Sequence, residues 1–157
     1  MQALLDVMTS EPGSAEFAVV VYGNAKPAGS KKGFRIPGTN AVRVVDDNKK
    51  SKPWKLQVAQ IAGEAMAGRA LLEGPLEVSF QFYRPRPKGH VGKKGLTSEG
   101  RAMPFPAVKP DVLKLARAVE DALTGVVWRD DAQIVRELLA KEYGEPERVV
   151  IVVRRLS

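Results

Sequence analysis

Hydrophobic and polar positions along the chain fall into short blocks of two different periods. Phe17 to Tyr22 is a near-continuous run of β-branched and aromatic residues, the pattern of a buried strand. The Gly/Pro/Lys stretch 25–38 reads as a loop, and Ala41 to Val45 as a short strand forming one arm of a hairpin. Trp54, Val58, Ile61, Ala62 and Ala65 recur at helical spacing, so residues 53–68 form a helix with one face on a sheet. Pro53 sits in its first turn, where a missing N–H does no harm. Leu76 to Tyr83 alternates, with Val78, Phe80 and Phe82 on one side and Glu77, Ser79 and Gln81 on the other. Residues 84–109 lose all periodicity. Val112, Leu115, Val119 and Ala122 then mark a helix over 111–124, with Asp111 as its N-cap and Gly125 as its stop. Ile134 to Tyr143 and Arg148 to Arg154 are two strands joined by a turn at Gly144–Glu147. The order β-β-α-β-loop-α-β-β describes one α/β (α+β) domain over residues 16–157, a small mixed sheet packed by two main helices. Residues 1–15 read as a flexible N-terminus.

Composition narrows the chemistry. The 157 residues suit one compact domain. A net charge of +7, from 25 Lys+Arg against 18 Asp+Glu, favours a polyanionic partner, because cations that neutralise phosphates release condensed counterions. The positive charge concentrates in the two irregular stretches. The first holds Lys26, Lys31, Lys32 and Arg35 with no acid. The second holds Arg84, Arg86, Lys88, Lys93, Lys94, Arg101 and Lys109 against Glu99 alone, and reads as a DNA-contacting flap or a solvated tail. The absence of cysteine excludes disulfides, thiolate metal sites and Cys nucleophiles, and fits a reducing cytoplasm. The single histidine, His90, reads as a surface loop residue and leaves carboxylates as the metal ligands, so Mg²⁺ or Mn²⁺ is the expected ion. No organic cofactor is expected. No apolar run approaches the roughly 18 residues of a membrane span, and no signal peptide is read at the N-terminus.

The stretch Lys109 to Gln133 carries the chemistry. It puts Asp111 at a helix start and Asp130 and Asp131 in a turn after that helix, which spans only about 20 Å. If the chain doubles back, converging carboxylates beside a basic surface form a metal site suited to phosphodiester cleavage. Taken singly, Asp111 reads equally as a helix cap, and Asp130 and Asp131 as turn residues. Lys141, on the strand that follows, reads as DNA-facing or solvated. Trp54 and Trp128 read as core residues. Phe105, in the basic loop, reads as exposed and suited to insertion at a branch point.

Lys109-Pro110-Asp111, Asp121-Ala122-Leu123, Gly125, Trp128, Asp130-Asp131 and Gln133 together fit the pattern K-P-D-x-D-N-x-x-K, D-A-L-x-G, W-x-D-D-x-Q. This combination resembles the RusA family of Holliday junction resolvases of phages and prophages. Pro27-Ala28-Gly29-Ser30-Lys31, Lys52-Pro53-Trp54-Lys55 and Arg84-Pro85-Arg86-Pro87-Lys88 extend the likeness upstream. The resemblance implies a homodimeric, Mg²⁺- or Mn²⁺-dependent endonuclease that cuts four-way branched DNA by paired nicks in a bacterial host. It implies Asp111 and Asp131 as metal-binding aspartates. It places Arg117 at the family's lysine, in contact with phosphate or stabilising developing charge. The basic residues Lys31, Lys32, Arg84, Arg86, Lys88, Lys93, Lys94, Arg101, Lys109, Lys114 and Lys141 are the expected DNA contacts.

One position departs from the pattern. The family's second aspartate falls on Leu113, which cannot ligate a metal, and the following Asn falls on Lys114. Glu120, seven residues on and hence on the same helical face, or Asp130 beside Asp131, can substitute. Two carboxylates with waters and DNA phosphate can also suffice. The alternative is a branched-DNA-binding protein that cuts weakly or not at all.

Overall fold

The computed structural model describes residues 15–29, 31–46 and 49–157, with the side chains of Lys31, Lys32, Val45 and Asp46 outside the description. All but the last residue of the expected flexible terminus, 1–15, also lies outside the described residues. The chain forms a mixed α+β domain. Its strands are β1 (Phe17–Tyr22), β2 (Lys31–Arg35), β3 (Val42–Asp46), β4 (Leu76–Arg84), β5 (Val91–Gly92), β6 (Gly95–Leu96), β7 (Ile134–Tyr143) and β8 (Arg148–Arg155). Its helices are α1 (Ser51–Met66), α2 (Ser98–Ala102) and α3 (Val112–Leu123).

The main sheet has the order β1-β8-β4-β7. β8 is antiparallel to β1 and β4, whereas β7 runs parallel to β4 and forms an edge. The parallel step follows from the crossover through α3, as a parallel pair requires. Alternation in β4 sends Val78, Phe80 and Phe82 toward the helices, where they join Val58 and Ala62 of α1 and Leu115, Val119 and Leu123 of α3. Phe80 and Phe82 meet edge to face at 6.4 Å. Trp128 is fully buried and donates to Thr124 Oγ1 at 3.1 Å, so both expected core tryptophans are core residues. The Asp121 carboxylate accepts from Lys55 Nζ at 3.2 Å and ties α3 to α1.

Two expectations change. The stretch 25–38 is not all loop, because Lys31 to Arg35 pairs with Val42 to Asp46 as a two-stranded ribbon. Its sequence, Lys-Lys-Gly-Phe-Arg, has no alternation to betray a strand, and among the described side chains of the ribbon Phe34, Val42 and Val44 are all exposed. The segment 84–109 is also structured. It holds a 3₁₀ turn at Lys88–His90, the β5–β6 hairpin and α2.

Candidate functional site

α3 and β7 lie side by side and run in opposite directions, so their side chains meet at two separate levels. At the start of α3, Asp111 has extended backbone and its carboxylate accepts from Lys114 N at 3.2 Å, the geometry of an N-cap. The carbonyls of Val108 and Pro110 just before it accept from Lys141 Nζ of β7, at 2.7 and 2.8 Å. Burial pushes the Lys141 ammonium pKa down, Arg84 pushes it further, and Asp111 opposes both. A cavity of about 420 Å³ opens here, lined by Lys26, Arg84, Lys109, Asp111 and Lys114 among others.

At the other level, the Glu120 carboxyl of α3 is hydrogen-bonded to that of Glu137 on β7. Two carboxyls this close disfavour a charge on both. Burial first, then Glu137, with smaller contributions from Asp131 and Asp121, pushes Glu120 up to about 8. Asp131 enters at this end because it opens the 3₁₀ turn Asp131–Gln133 that leads into β7. Its neighbours have structural tasks. Asp130 Oδ1 caps that turn by accepting from Ala132 N at 2.8 Å. Gln133 accepts from Arg129 N and Asp130 N and donates to the carbonyls of Leu72 and Gly74. The D-D-x-Q motif thereby leaves Asp131, rather than Asp130, as the carboxylate near Glu120.

The candidate acids fall at two levels along α3. Nine residues of helix put Asp111 and Glu120 about 13 Å apart along the axis. The turn that bears Asp131 lies beyond Glu137 on the side away from Lys141, so within one chain Asp111 and Asp131 stand toward opposite ends of α3. Among the described residues, no three His, Asp or Glu side chains converge into a ready cage for a cation. What the chain offers is a touching pair, Glu120 and Glu137, with Asp131 acting on it from nearby. Glu137 escaped sequence reading because a lone acid on a strand looks like a solvated position. The signal was its spacing of four from Lys141, which puts both on one side of β7. Leu113, Arg117 and Glu120 form a single stripe along α3; Leu113 is 64 % exposed and Arg117 is exposed.

The basic residues also divide. Lys88, Lys93, Lys94, Arg101 and Lys109 are exposed, Lys114 and Arg84 are half-buried, and the side chains of Lys31 and Lys32 lie outside the described residues. Arg84 donates to Ala25 O at 2.8 Å, and Lys141 is engaged as above. Arg86, expected at a DNA surface, turns inward. It donates to the carbonyls of Gly100 and Met103 at 3.0 and 3.1 Å, approaches His90 Nδ1 at 3.3 Å, and covers the Tyr143 ring at 4.4 Å. His90, expected on the surface, is 2 % exposed and meets the Tyr143 ring edge-on. The reason is that this flap has too few apolar residues for a core of its own, and a guanidinium and an imidazole fill that place with their polarity satisfied.

A family model described as endodeoxyribonuclease RusA matches residues 24–154, most of the chain. The chain is also 32 % identical over 138 residues to an uncharacterized protein, YqaN, of Bacillus subtilis (strain 168), covering 87 % of this chain and 94 % of that protein.

Proposed function

Because the chain belongs to the RusA endodeoxyribonuclease family, we propose that it resolves four-way DNA junctions by paired, metal-dependent nicks. The observation that carries this reading is the Glu120–Glu137 contact: two carboxyls held together on the surface of a protein of net charge +7. Such a pair has a use for a cation, which can replace the proton on Glu120. The donor set fits a hard divalent ion, being all oxygen, and Mg²⁺ needs few protein ligands. Glu120 and Glu137 would hold Mg²⁺ or Mn²⁺, with Asp131 nearby and water and DNA phosphate filling the remaining positions; when bound, the ion would supply neutralisation of scissile-phosphate charge and a more acidic water. Asp130, occupied as a cap, orients Asp131 in this reading. Asp111 is the acid of the basic cavity at the other end of α3.

The chain's own residues do the rest. Arg117, one turn before Glu120 on the same stripe, meets a phosphate oxygen with a permanently charged guanidinium. Lys88, Lys93, Lys94 and Arg101 hold the backbone of the DNA arms, and Lys109 and Lys114 meet phosphate beside the start of α3. A substrate of two-fold symmetry that takes two cuts calls for a two-fold dimer, which light scattering of the purified protein tests. The enzyme acts in the cytoplasm of a bacterial host.

The decisive assay is cleavage of a synthetic four-way junction with Mg²⁺ and with Mn²⁺. Symmetric nicks that disappear in Glu120→Gln and Asp131→Asn, while junction binding persists, support the proposal. Binding without nicks in either metal supports the second reading, a branched-DNA-binding protein disabled at Leu113. The exposed leucine at a position where the family pattern has an aspartate favours that reading.

A further inference from the structure

Three cavities on one side of the molecule share walls. The basic cavity beside Asp111 and a smaller one of about 130 Å³ have Arg84, Lys109 and Pro110 in common. The smaller one shares Tyr143 with a third, of about 330 Å³. They follow one another as a row of adjacent cavities, with Tyr143 between the second and the third. Its ends differ in chemistry. One end is mainly cationic, with Lys26, Arg84, Lys109 and Lys114 against the single acid Asp111. The other is lined by Tyr143 and Phe105, with the carboxylates of Glu142 and Glu145.

We propose that this row of cavities is a trough that seats an unpaired DNA strand at the branch point, a backbone phosphate among Lys26, Lys109 and Lys114 and an unstacked nucleobase against Phe105 and Tyr143. The inference rests on the branched-DNA reading above and adds the recognition element to it. A cationic groove leading to aromatic rings is the chemistry that binds single strands, because every base offers a π-face. The charge pattern supports the direction of threading. At the aromatic end Glu142 and Glu145 outnumber the one cation, Arg86, which is engaged with the carbonyls of Gly100 and Met103, so phosphate is disfavoured there and the exocyclic amino groups of bases find acceptors.

The two rings are prepared differently. Tyr143 is fixed: Arg86 covers the ring at 4.4 Å, His90 meets its edge, and its hydroxyl lies 3.7 Å from Met103 Sδ. Phe105 is 63 % exposed on a flap that is otherwise well tied down, so it has little packing to do. An exposed ring of this kind stacks on a base only where that base has lost a neighbour, as at a branch point. The trough thereby recognises the discontinuity in the duplex, whereas the exposed lysines of the flap are indifferent to it.

Photo-crosslinking of the full-length protein tests this. Four-way junctions carrying single 5-iodouracils, either at the branch or well inside an arm, are bound without divalent metal, irradiated and mapped by mass spectrometry. The branch probe is expected to crosslink to Phe105 or Tyr143, and the arm probes to neither. Phe105→Ala, on an exposed site that leaves folding intact, should remove the crosslink and weaken binding of a single-stranded oligonucleotide about tenfold, with Phe105→Trp restoring both. Branch crosslinks that map elsewhere, or arm probes that label the two rings equally, overturn the proposal. Its failure is separable from failure of the nuclease reading. A junction that is nicked but crosslinks outside the trough refutes the trough alone; one that crosslinks at Phe105 yet is never nicked refutes cleavage and leaves the trough standing.

Discussion

Glu120 holds its proton more tightly in the folded chain than in the unfolded one, at about 8 against 4.5. A carboxyl raised in this way contributes stability below about 4.5 and loses it as the pH climbs toward 8. Without divalent metal the melting temperature should therefore fall across that window, and Glu137→Gln should flatten the fall, as differential scanning calorimetry in chelator would read. Mn²⁺ should raise the melting temperature most at the alkaline end, where the pair is otherwise two adjacent charges. Leu113 offers a second residue-level test. It is exposed, so Leu113→Asp should leave stability within about 0.5 kcal/mol of the parent. The same substitution should not restore cleavage in a Glu120→Gln background, since residues 113 and 120 stand about 10 Å apart along α3; a gain of activity there would move the metal to the Asp111 end of the helix.

At the scale of elements, periodicity made α1, β4, α3 and β8 legible, because each buries one face or both against a single core. It failed where burial is polar or absent. The flap around Arg86 and His90 has no apolar stripe, and the β2–β3 ribbon leaves Phe34, Val42 and Val44 exposed. Gly100 shows how closely the flap is built: a Cβ there would stand 2.3 Å from the His90 carbonyl oxygen. Gly100→Ala should open the flap to limited proteolysis between Lys88 and Pro106 while the main sheet keeps its melting transition. Lys141→Met removes both hydrogen bonds to the segment before Asp111 and should cost about 1.5 kcal/mol, a melting shift of about 5 °C. The candidate site was half legible for a related reason. Asp111, Glu120 and Asp131 stand in or beside a recognisable motif. The partner that meets Glu120 is Glu137, and its place is set by the pairing of β7 with β4.

For the molecule as a whole, the excess of positive charge makes junction binding a matter of counterions as much as of contacts. Six phosphate contacts would lower affinity about a thousandfold between 50 and 200 mM salt, and a titration of binding against salt gives the number directly. Substitution of Lys109 by Ala should reduce that slope by about one.

The strand β7 also behaves as a ruler. Glu137 and Lys141 are four residues apart on it, so one acidic and one cationic station are held about 13 Å from each other by a backbone hydrogen-bonded along its length to β4. The interval between them is fixed by the register of β7 against β4. Loss or gain of a single residue between the two would turn one of them through the sheet to the opposite side. A one-residue deletion between Glu137 and Lys141 should therefore disable the site more thoroughly than substitution of either residue, as junction binding and cleavage by the three variants would read.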